Sequence, residues 1–173
     1  MLYAASGPDG AFAETLARFR PTATMRNLPI EGDEHLMAVG AVPADWRTRR
    51  QLVRFRLNDP LPFLDVDTPE THTFLTAEMA PALEVLGVDC LDIAHMRSAN
   101  RFLTREVAQW AYAAMDDEGH PIFSGIRYAS RLGAYECWAI FDGTEVEQLE
   151  ARAIERTNSE LEAIARSFDL TIH

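Results

Sequence analysis

Short apolar stretches along the chain, several of them alternating with polar residues, predict strands. The clearest lies at 49–57, where three apolar residues alternate with Arg54 and Arg56 in the period of two that a strand requires. Two later stretches are separated by a turn at Gly133, which predicts a hairpin. The predicted strands are 2–5, one near 37–39, 49–57, 63–66, 125–130, 137–141 and 170–172.

Apolar residues three or four positions apart predict helices. Phe12, Leu16 and Phe19 have this spacing and predict a helix at 11–19, after turn-forming residues at 6–10. A second helix is predicted at 68–87, with Thr68 as N-cap, Pro69 as its first residue and a kink or split at Pro81. A third is predicted at 104–115, with Val107, Ala111 and Met115 on one face and Trp110 and Tyr112 in the core. The last is predicted at 159–168, where Ser159 and Glu162 form a capping box.

The order of these elements favours an α+β fold. Strands and helices are intermixed without a regular βαβ alternation, and the stretch 145–156 fits a helix or a strand. The 173 residues are about the length of one domain, and no segment rich in Gly, Pro or Ser separates two. We therefore expect a single domain over 1–173.

The net charge of the chain limits the classes of molecule that it is expected to bind. The chain carries 27 acidic and 16 basic residues, a formal charge of -11, which repels nucleic-acid phosphates over most of the surface. The basic residues are arginines, which suit bidentate contacts to carboxylates or phosphates. We expect no direct nucleic-acid binding, while a basic partner or a small phosphorylated ligand in a local pocket stays open.

Several motif classes are missing from the sequence. The histidines are scattered without metal-ligand spacing, and no phosphate loop or nucleophile elbow occurs, so no metal is expected. Cys90 and Cys137 lie in apolar stretches and are expected to be buried free thiols. No apolar run reaches membrane-spanning length and no secretory signal is visible. These features predict a cytoplasmic protein without a membrane segment.

Three segments, in this order, carry a family resemblance. They are Leu2-Tyr3-Ala4-Ala5, Ala11-Phe12-Ala13-Glu14-Thr15, and Gly125-Ile126-Arg127-Tyr128-Ala129-Ser130-Arg131 followed by Ala139-Ile140-Phe141. Together they resemble the RES-domain family, the toxin component of RES/Xre-type toxin–antitoxin pairs in bacteria. Glu14 matches the family's Glu and Ser130 its Ser. The family's Arg precedes the first strand in a GRWN-like segment, for which Met1-Leu2-Tyr3 leaves no room, so we expect the chain to lack it.

The resemblance implies a fold and a reaction. The fold would be an ADP-ribosyltransferase-like core, with two small facing β-sheets, flanking helices and NAD in the cleft between the sheets. The activity would be that of an NAD glycohydrolase or NAD phosphorylase, which cleaves the bond between nicotinamide and ribose with water or phosphate. The implied partner is a helix-turn-helix, Xre-like antitoxin protein.

Glu14 has two interpretations. Its spacing from Arg18 fits an i, i+4 pair on a helix surface, worth about 0.3–0.5 kcal/mol. The family match favours catalysis instead, because a carboxylate beside the ribose would stabilise the positive charge that develops when the glycosidic bond breaks.

The resemblance assigns Tyr3 and Ser130, with Glu14, to the catalytic group, and Arg131, Tyr128 and Arg127 to NAD binding. Tyr3 is either a core aromatic or a ring that stacks on nicotinamide. Strand alternation places Ser130 on the face of Tyr128, where a hydroxyl can bond a ribose. Arg131 and Arg127 are either solvated or neutralise the diphosphate, and Arg131 is the stronger candidate because it matches the family pattern.

Two other functions stay open as alternatives. One is a catalytically inactive RES-like module that binds a partner or a nucleotide, which the expected lack of the Arg-bearing segment suggests. The other is a protein ADP-ribosyltransferase. Calorimetry with NAD separates the first from an enzyme, since it would show binding without product.

Overall fold

The structure is a computed structural model that describes residues 1–26, 38–98 and 100–173. The strands are β1 (Leu2–Ala5), β2 (Ala41–Val42), β3 (Gln51–Leu57), β4 (Phe63–Asp65), β5 (Gly125–Ala129), β6 (Glu136–Ile140), β7 (Val146–Ala153) and β8 (Thr171–Ile172). The helices are α1 (Pro8–Leu16), followed by a 3-10 turn (Ala17–Phe19), α2 (Ala23–Arg26), α3 (Ala44–Thr48), α4 (Pro69–Glu78), α5 (Ala80–Val85), α6 (Ile93–Met96), α7 (Arg101–Ala113) and α8 (Ser159–Phe168). The predicted α+β class is confirmed.

The chain divides into two compact units, each made of two stretches of sequence. The first unit comprises Met1–Ser6 and Leu57–Glu147, and the second comprises Gly7–Arg56 and Gln148–His173.

The first unit contains a four-stranded sheet in the order β1-β6-β5-β4. Strand β6 is antiparallel to both of its neighbours, which confirms the predicted hairpin, and β4 runs parallel to β5. One sheet face and the helices α4, α5 and α7 share a core of Leu64, Val66, Leu75, Met79, Leu83, Leu91, Leu103, Val107, Ala111, Ile126, Ala139 and Phe141. Truncating a buried leucine of such a core to alanine costs about 2–5 kcal/mol.

Close packing inside this sheet explains one glycine. A Cβ atom at Gly125 would collide with the carbonyl oxygen of Ala139 and with the ring of Phe63. Only glycine therefore lets β5 lie against both of its neighbours at this position.

The helix following β4 starts and breaks as the sequence predicts. Thr68 caps α4 by accepting a hydrogen bond from the Thr71 amide at 3.3 Å, and Pro69 is its first residue. Pro81 lies in the first turn of α5, where the missing amide proton costs nothing, and the chain is split between Glu78 and Ala80. Both predictions are confirmed.

Helix α7 confirms its predicted face only in part. Val107 and Ala111 are buried, and Asn100 caps the helix by accepting from the amides of Phe102 and Leu103. Met115 and Tyr112, however, are 52% and 53% exposed. The helix ends at Ala113, before Met115, and Tyr112 points about 100° away from its buried neighbour Ala111.

The second unit contains two small sheets and two packed helices. Strand β2 pairs in parallel with β8, and β3 pairs with β7, which settles the ambiguous stretch 145–156 as mainly strand. Helix α1 packs on α8. The buried apolar residues of this unit are Phe12, Ala13, Leu16, Ala41, Val42, Trp46, Ile154, Leu161, Ile164, Ala165 and Phe168.

Three predicted boundaries in this unit are wrong. Helix α1 begins at Pro8 rather than 11, because proline suits the first helical position and the turn-like residues before it form the helix start. Asn158, not Ser159, caps α8, since its Oδ1 accepts from the Leu161 amide at 2.8 Å. The strand expected near 37–39 begins at Ala41; residue 37 lies outside the described residues, and 39–40 form a turn.

The two thiols differ in exposure. Cys137 is buried in β6, as predicted, whereas Cys90 is exposed, so the prediction of burial was wrong for it. It lies in the loop after α5, where the adjacent Leu91 is part of the core but the side chain of Cys90 is not. Across the described residues the longest helix is α7, with 13 residues, and no helix is long and apolar enough to cross a membrane.

Candidate functional site

The sheet of the first unit presents a polar cluster on the face that is turned away from the helical core. Register places Asp65 on β4 beside Arg127 on β5, and Arg127 beside Trp138 on β6. The Arg127 guanidinium donates through NH1 to Asp65 Oδ2 and through Nε to Glu136 Oε1, both at 2.7 Å. These two carboxylates hold the guanidinium in one orientation.

The cluster continues from Glu136 to the end of β1. The Ser6 hydroxyl donates to Glu136 Oε2, and Trp138 Nε1 donates to the Ser6 oxygen at 2.9 Å. The Trp138 ring meets Phe63 edge-on, with ring centroids 5.0 Å apart. Three strands and the residue after β1 are thus joined through side chains. We call Ser6, Asp65, Arg127, Glu136 and Trp138 the sheet-face cluster.

Hydrogen bonding stabilises the charged forms within this cluster. The hydrogen bond from Ser6, together with that from Arg127, holds the pKa of the Glu136 carboxyl below its usual range. The hydrogen bond to Glu136 and the charges of Asp65 and Glu136 raise the pKa of Arg127. The cluster is therefore built to stay ionised near neutral pH.

These contacts bear on the role predicted for Arg127. Its guanidinium already faces two carboxylates, so a diphosphate approaching it would compete with both ion pairs. A contact between Arg127 and NAD stays a prediction, and the observed geometry shows a cation that orders the sheet.

Ser130 and Tyr128 lie on the other side of β5, as the alternation predicted for that strand implies. Tyr128 is half-buried and packs against the core of the first unit. Ser130 is only 4% exposed; its amide donates to the Tyr135 carbonyl at 2.7 Å, and its Oγ accepts from the Leu132 amide at 3.0 Å. The residue thus shapes the turn after β5.

Tyr3 and Arg131 are the accessible members of the predicted set in this unit. Tyr3 is 69% exposed on the edge strand β1, opposite Ala139 of β6, so it does not fill a core. Arg131 is exposed directly after Ser130. Both side chains can meet a ligand without movement of the fold.

Glu14 belongs to the second unit and is exposed on α1. The buried residues Phe12, Ala13 and Leu16 occupy the opposite side of that helix, which explains why a carboxylate is tolerated at this position. The Arg18 guanidinium lies over the ring of Phe19, 4.7 Å from its centroid. The predicted convergence of Glu14 and Ser130 on one ligand stays a prediction.

Most of the polar contacts of the sheet could not be predicted from the sequence. Ser6, Asp65 and Glu136 belong to no motif, and only the strand register brings them to Arg127. Asp67 was also missed: its Oδ2 accepts from the Ala129 amide and its Oδ1 from Arg97 at 3.2 Å. In the ranges that the structure describes, no group of three His, Cys, Asp or Glu residues is placed to hold a metal ion.

Comparison with known proteins identifies one family. The model of the RES domain matches residues 1–163, which include all six predicted site residues. No curated protein and no solved structure matches the chain.

Proposed function

The chain belongs to the RES-domain family, and from that premise we propose that it degrades NAD by breaking the bond between nicotinamide and ribose. The acceptor would be water or phosphate, and the protein would act as the toxin of a bacterial toxin–antitoxin pair. The observation that carries the proposal is the family match over 1–163. Within it, we propose Glu14 and Ser130 as the family's Glu and Ser, because of the sequence motifs in which they lie.

Glu14 is the proposed catalytic carboxylate. Its exposure on α1 leaves it accessible to a ligand, and departure of nicotinamide leaves positive charge on the ribose that a carboxylate stabilises. Tyr3 and Arg131 are the proposed NAD contacts, because both are exposed.

Ser130, Tyr128 and Arg127 have more restricted proposed roles. Ser130 is buried and Tyr128 half-buried, so they support the strand and turn that carry Arg131 and contact NAD only at their exposed edges. Arg127, held by two carboxylates, orders the sheet. The proposed partner is an Xre-like helix-turn-helix antitoxin, as in the family.

Purified chain is expected to release nicotinamide from NAD, which chromatography measures directly. Glu14→Gln removes the charge and keeps the shape, and should lower the rate roughly 10²-fold or more, as expected for loss of an electrostatic contact to the transition state. Glu162→Gln, the same change at an exposed residue of α8 in the same unit, is the matched control and should keep the wild-type rate.

Each possible result of these experiments distinguishes NAD cleavage from one of the alternative functions. NAD left intact by the wild-type chain over hours, with and without added phosphate, would overturn the proposal. Calorimetric binding of NAD without product would instead support an inactive binding module, and label from NAD transferred to proteins of a lysate would support an ADP-ribosyltransferase. In bacteria, expression of the wild-type chain should lower cellular NAD and stop growth, whereas the Glu14→Gln variant should not.

A further inference from the structure

The second unit contains a pocket whose charge is opposite to that of the chain as a whole. Its volume is about 410 Å³, and its lining includes the cations Arg18, Arg49 and Arg50, the carboxylate Asp45, and the rings of Phe19 and Trp46. The chain carries a formal charge of -11, so three guanidinium groups around one carboxylate form an unusual local excess of positive charge.

Local contacts hold two of these arginines in place. Arg50 NH1 donates to the carbonyl oxygen of Trp46 at 2.9 Å, and its guanidinium lies 5.4 Å from the centroid of the Trp46 ring. Arg18 is placed over the ring of Phe19. Because both guanidinium groups lie over aromatic rings, they lose less side-chain freedom when an anion binds than unrestrained arginines would.

The third arginine is held only weakly. Arg49 NH1 lies 3.6 Å from Asp45 Oδ2, and the two side chains are 77% and 55% exposed. An exposed pair of this kind contributes little to stability, so a ligand can take Arg49 from Asp45 at small cost. The pocket can therefore offer at least two guanidinium groups to one anion.

Volume and chemistry indicate the class of ligand. A pocket of about 410 Å³ falls in the range of small-molecule sites, larger than a single inorganic ion needs. Guanidinium forks match phosphate oxygens in bidentate geometry, and the half-buried Phe19 ring lines the pocket beside them, where a flat heterocycle can contact it. The rest of the acidic surface repels anions, so binding has to come from these directed contacts.

We propose that this pocket binds a small phosphorylated molecule of the nucleotide class, with Arg18 and Arg49 on the phosphate and Phe19 beside the base. The proposal goes beyond NAD cleavage and does not depend on it. ADP is a suitable probe, because it has no bond between nicotinamide and ribose and the proposed reaction cannot consume it.

Calorimetry with ADP at low salt tests the pocket. The wild-type chain should bind ADP, and Arg18→Gln combined with Arg49→Gln should weaken binding at least tenfold, since two charge-assisted hydrogen bonds to the phosphate are lost. The matched control is Arg54→Gln combined with Arg56→Gln, which removes the same charge from exposed residues of β3 in the same unit. This control should keep the wild-type affinity.

Binding of two further ligands shows which part of ADP the pocket recognises. Inorganic pyrophosphate should compete with ADP, and adenosine should bind much more weakly than ADP. No binding of ADP to the wild-type chain, an equal loss in the β3 control, or adenosine binding as tight as ADP would each overturn the proposal. If the double variant does not fold, Arg49→Gln alone replaces it, because that side chain is 77% exposed and is not part of a core.

Discussion

Among single residues, Arg127 shows how the register of neighbouring strands determines the partners of a charged side chain. Its guanidinium binds Asp65 on one neighbouring strand and Glu136 on the other, so one cation neutralises two carboxylates that would otherwise repel each other. The hydroxyl of Ser6, the residue that follows β1, donates a further hydrogen bond to Glu136. This interaction is the reason that we assign Arg127 to the order of the sheet.

Glu136→Gln should change how stability depends on pH. The folded state lowers the pKa of this carboxyl from its ordinary 4.5, so the stabilisation is fully present above that value and is lost as the pH falls through the folded pKa. The urea midpoint of the wild-type chain should therefore drop as the pH falls below this ordinary value and through the lowered pKa of the folded state. The variant should start from a lower midpoint at neutral pH and drop less.

Ser6→Ala serves as the second variant in this experiment. It removes the hydrogen bond that contributes most to the lowered pKa of Glu136, so the acid-induced drop in the urea midpoint should begin at a higher pH than in the wild-type chain. If the urea midpoints of the wild-type chain and of Glu136→Gln change in parallel over the whole pH range, the Glu136 carboxyl has no part in acid stability.

At the scale of helices and strands, the sequence predicted regular patterns well and irregular boundaries poorly. The hairpin of β5 and β6 was predictable because its strands are apolar and a turn residue lies between them. The start of α1 was not, since Gly7 and Pro8 are typical both of turns and of helix starts. Exposure of Tyr112 and Cys90 depends on where neighbouring elements lie, which spacing does not contain.

The residues of the candidate sites likewise include some that the sequence could indicate and some that it could not. Glu14, Ser130 and Arg131 could be proposed from the sequence because they lie in ordered motifs, and their roles stay predictions. The exposure of Glu14 follows from the apolar spacing of α1. Arg18 and Arg49, by contrast, are 31 positions apart and belong to no motif, so only the folded chain shows that they line one pocket.

Asn158→Ala tests the corrected start of α8. The Asn158 side chain accepts a hydrogen bond from the Leu161 amide, and removing such a cap costs about 0.5–2 kcal/mol of the free energy of unfolding. Ser159→Ala is the matched control, because its hydroxyl donates to Glu160 rather than to a backbone amide. Chemical denaturation should show a loss for the first variant and almost none for the second; the reverse result would restore the capping box.

At the scale of the whole molecule, charge is the dominant feature. The formal charge of -11 comes from 27 acidic residues against 16 arginines, so carboxylates outnumber guanidinium groups by 11. The ion pairs of the described residues are mostly exposed, such as Arg54 with Glu150 at 3.7 Å, and each contributes little. Repulsion among like charges should therefore outweigh attraction within pairs.

Sodium chloride is expected to stabilise the chain for this reason. At about 0.1 M salt the screening length is about 10 Å, which weakens repulsion between distant carboxylates more than attraction within close pairs such as Arg127 with Asp65. The urea midpoint should rise between very low salt and about 0.3 M, by up to about 1 kcal/mol in unfolding free energy. Chloride is preferred over sulfate, because sulfate stabilises proteins generally and could occupy the arginine-lined pocket. A midpoint that falls as sodium chloride is added would show that ion pairs, and not net charge, govern the electrostatics of this fold.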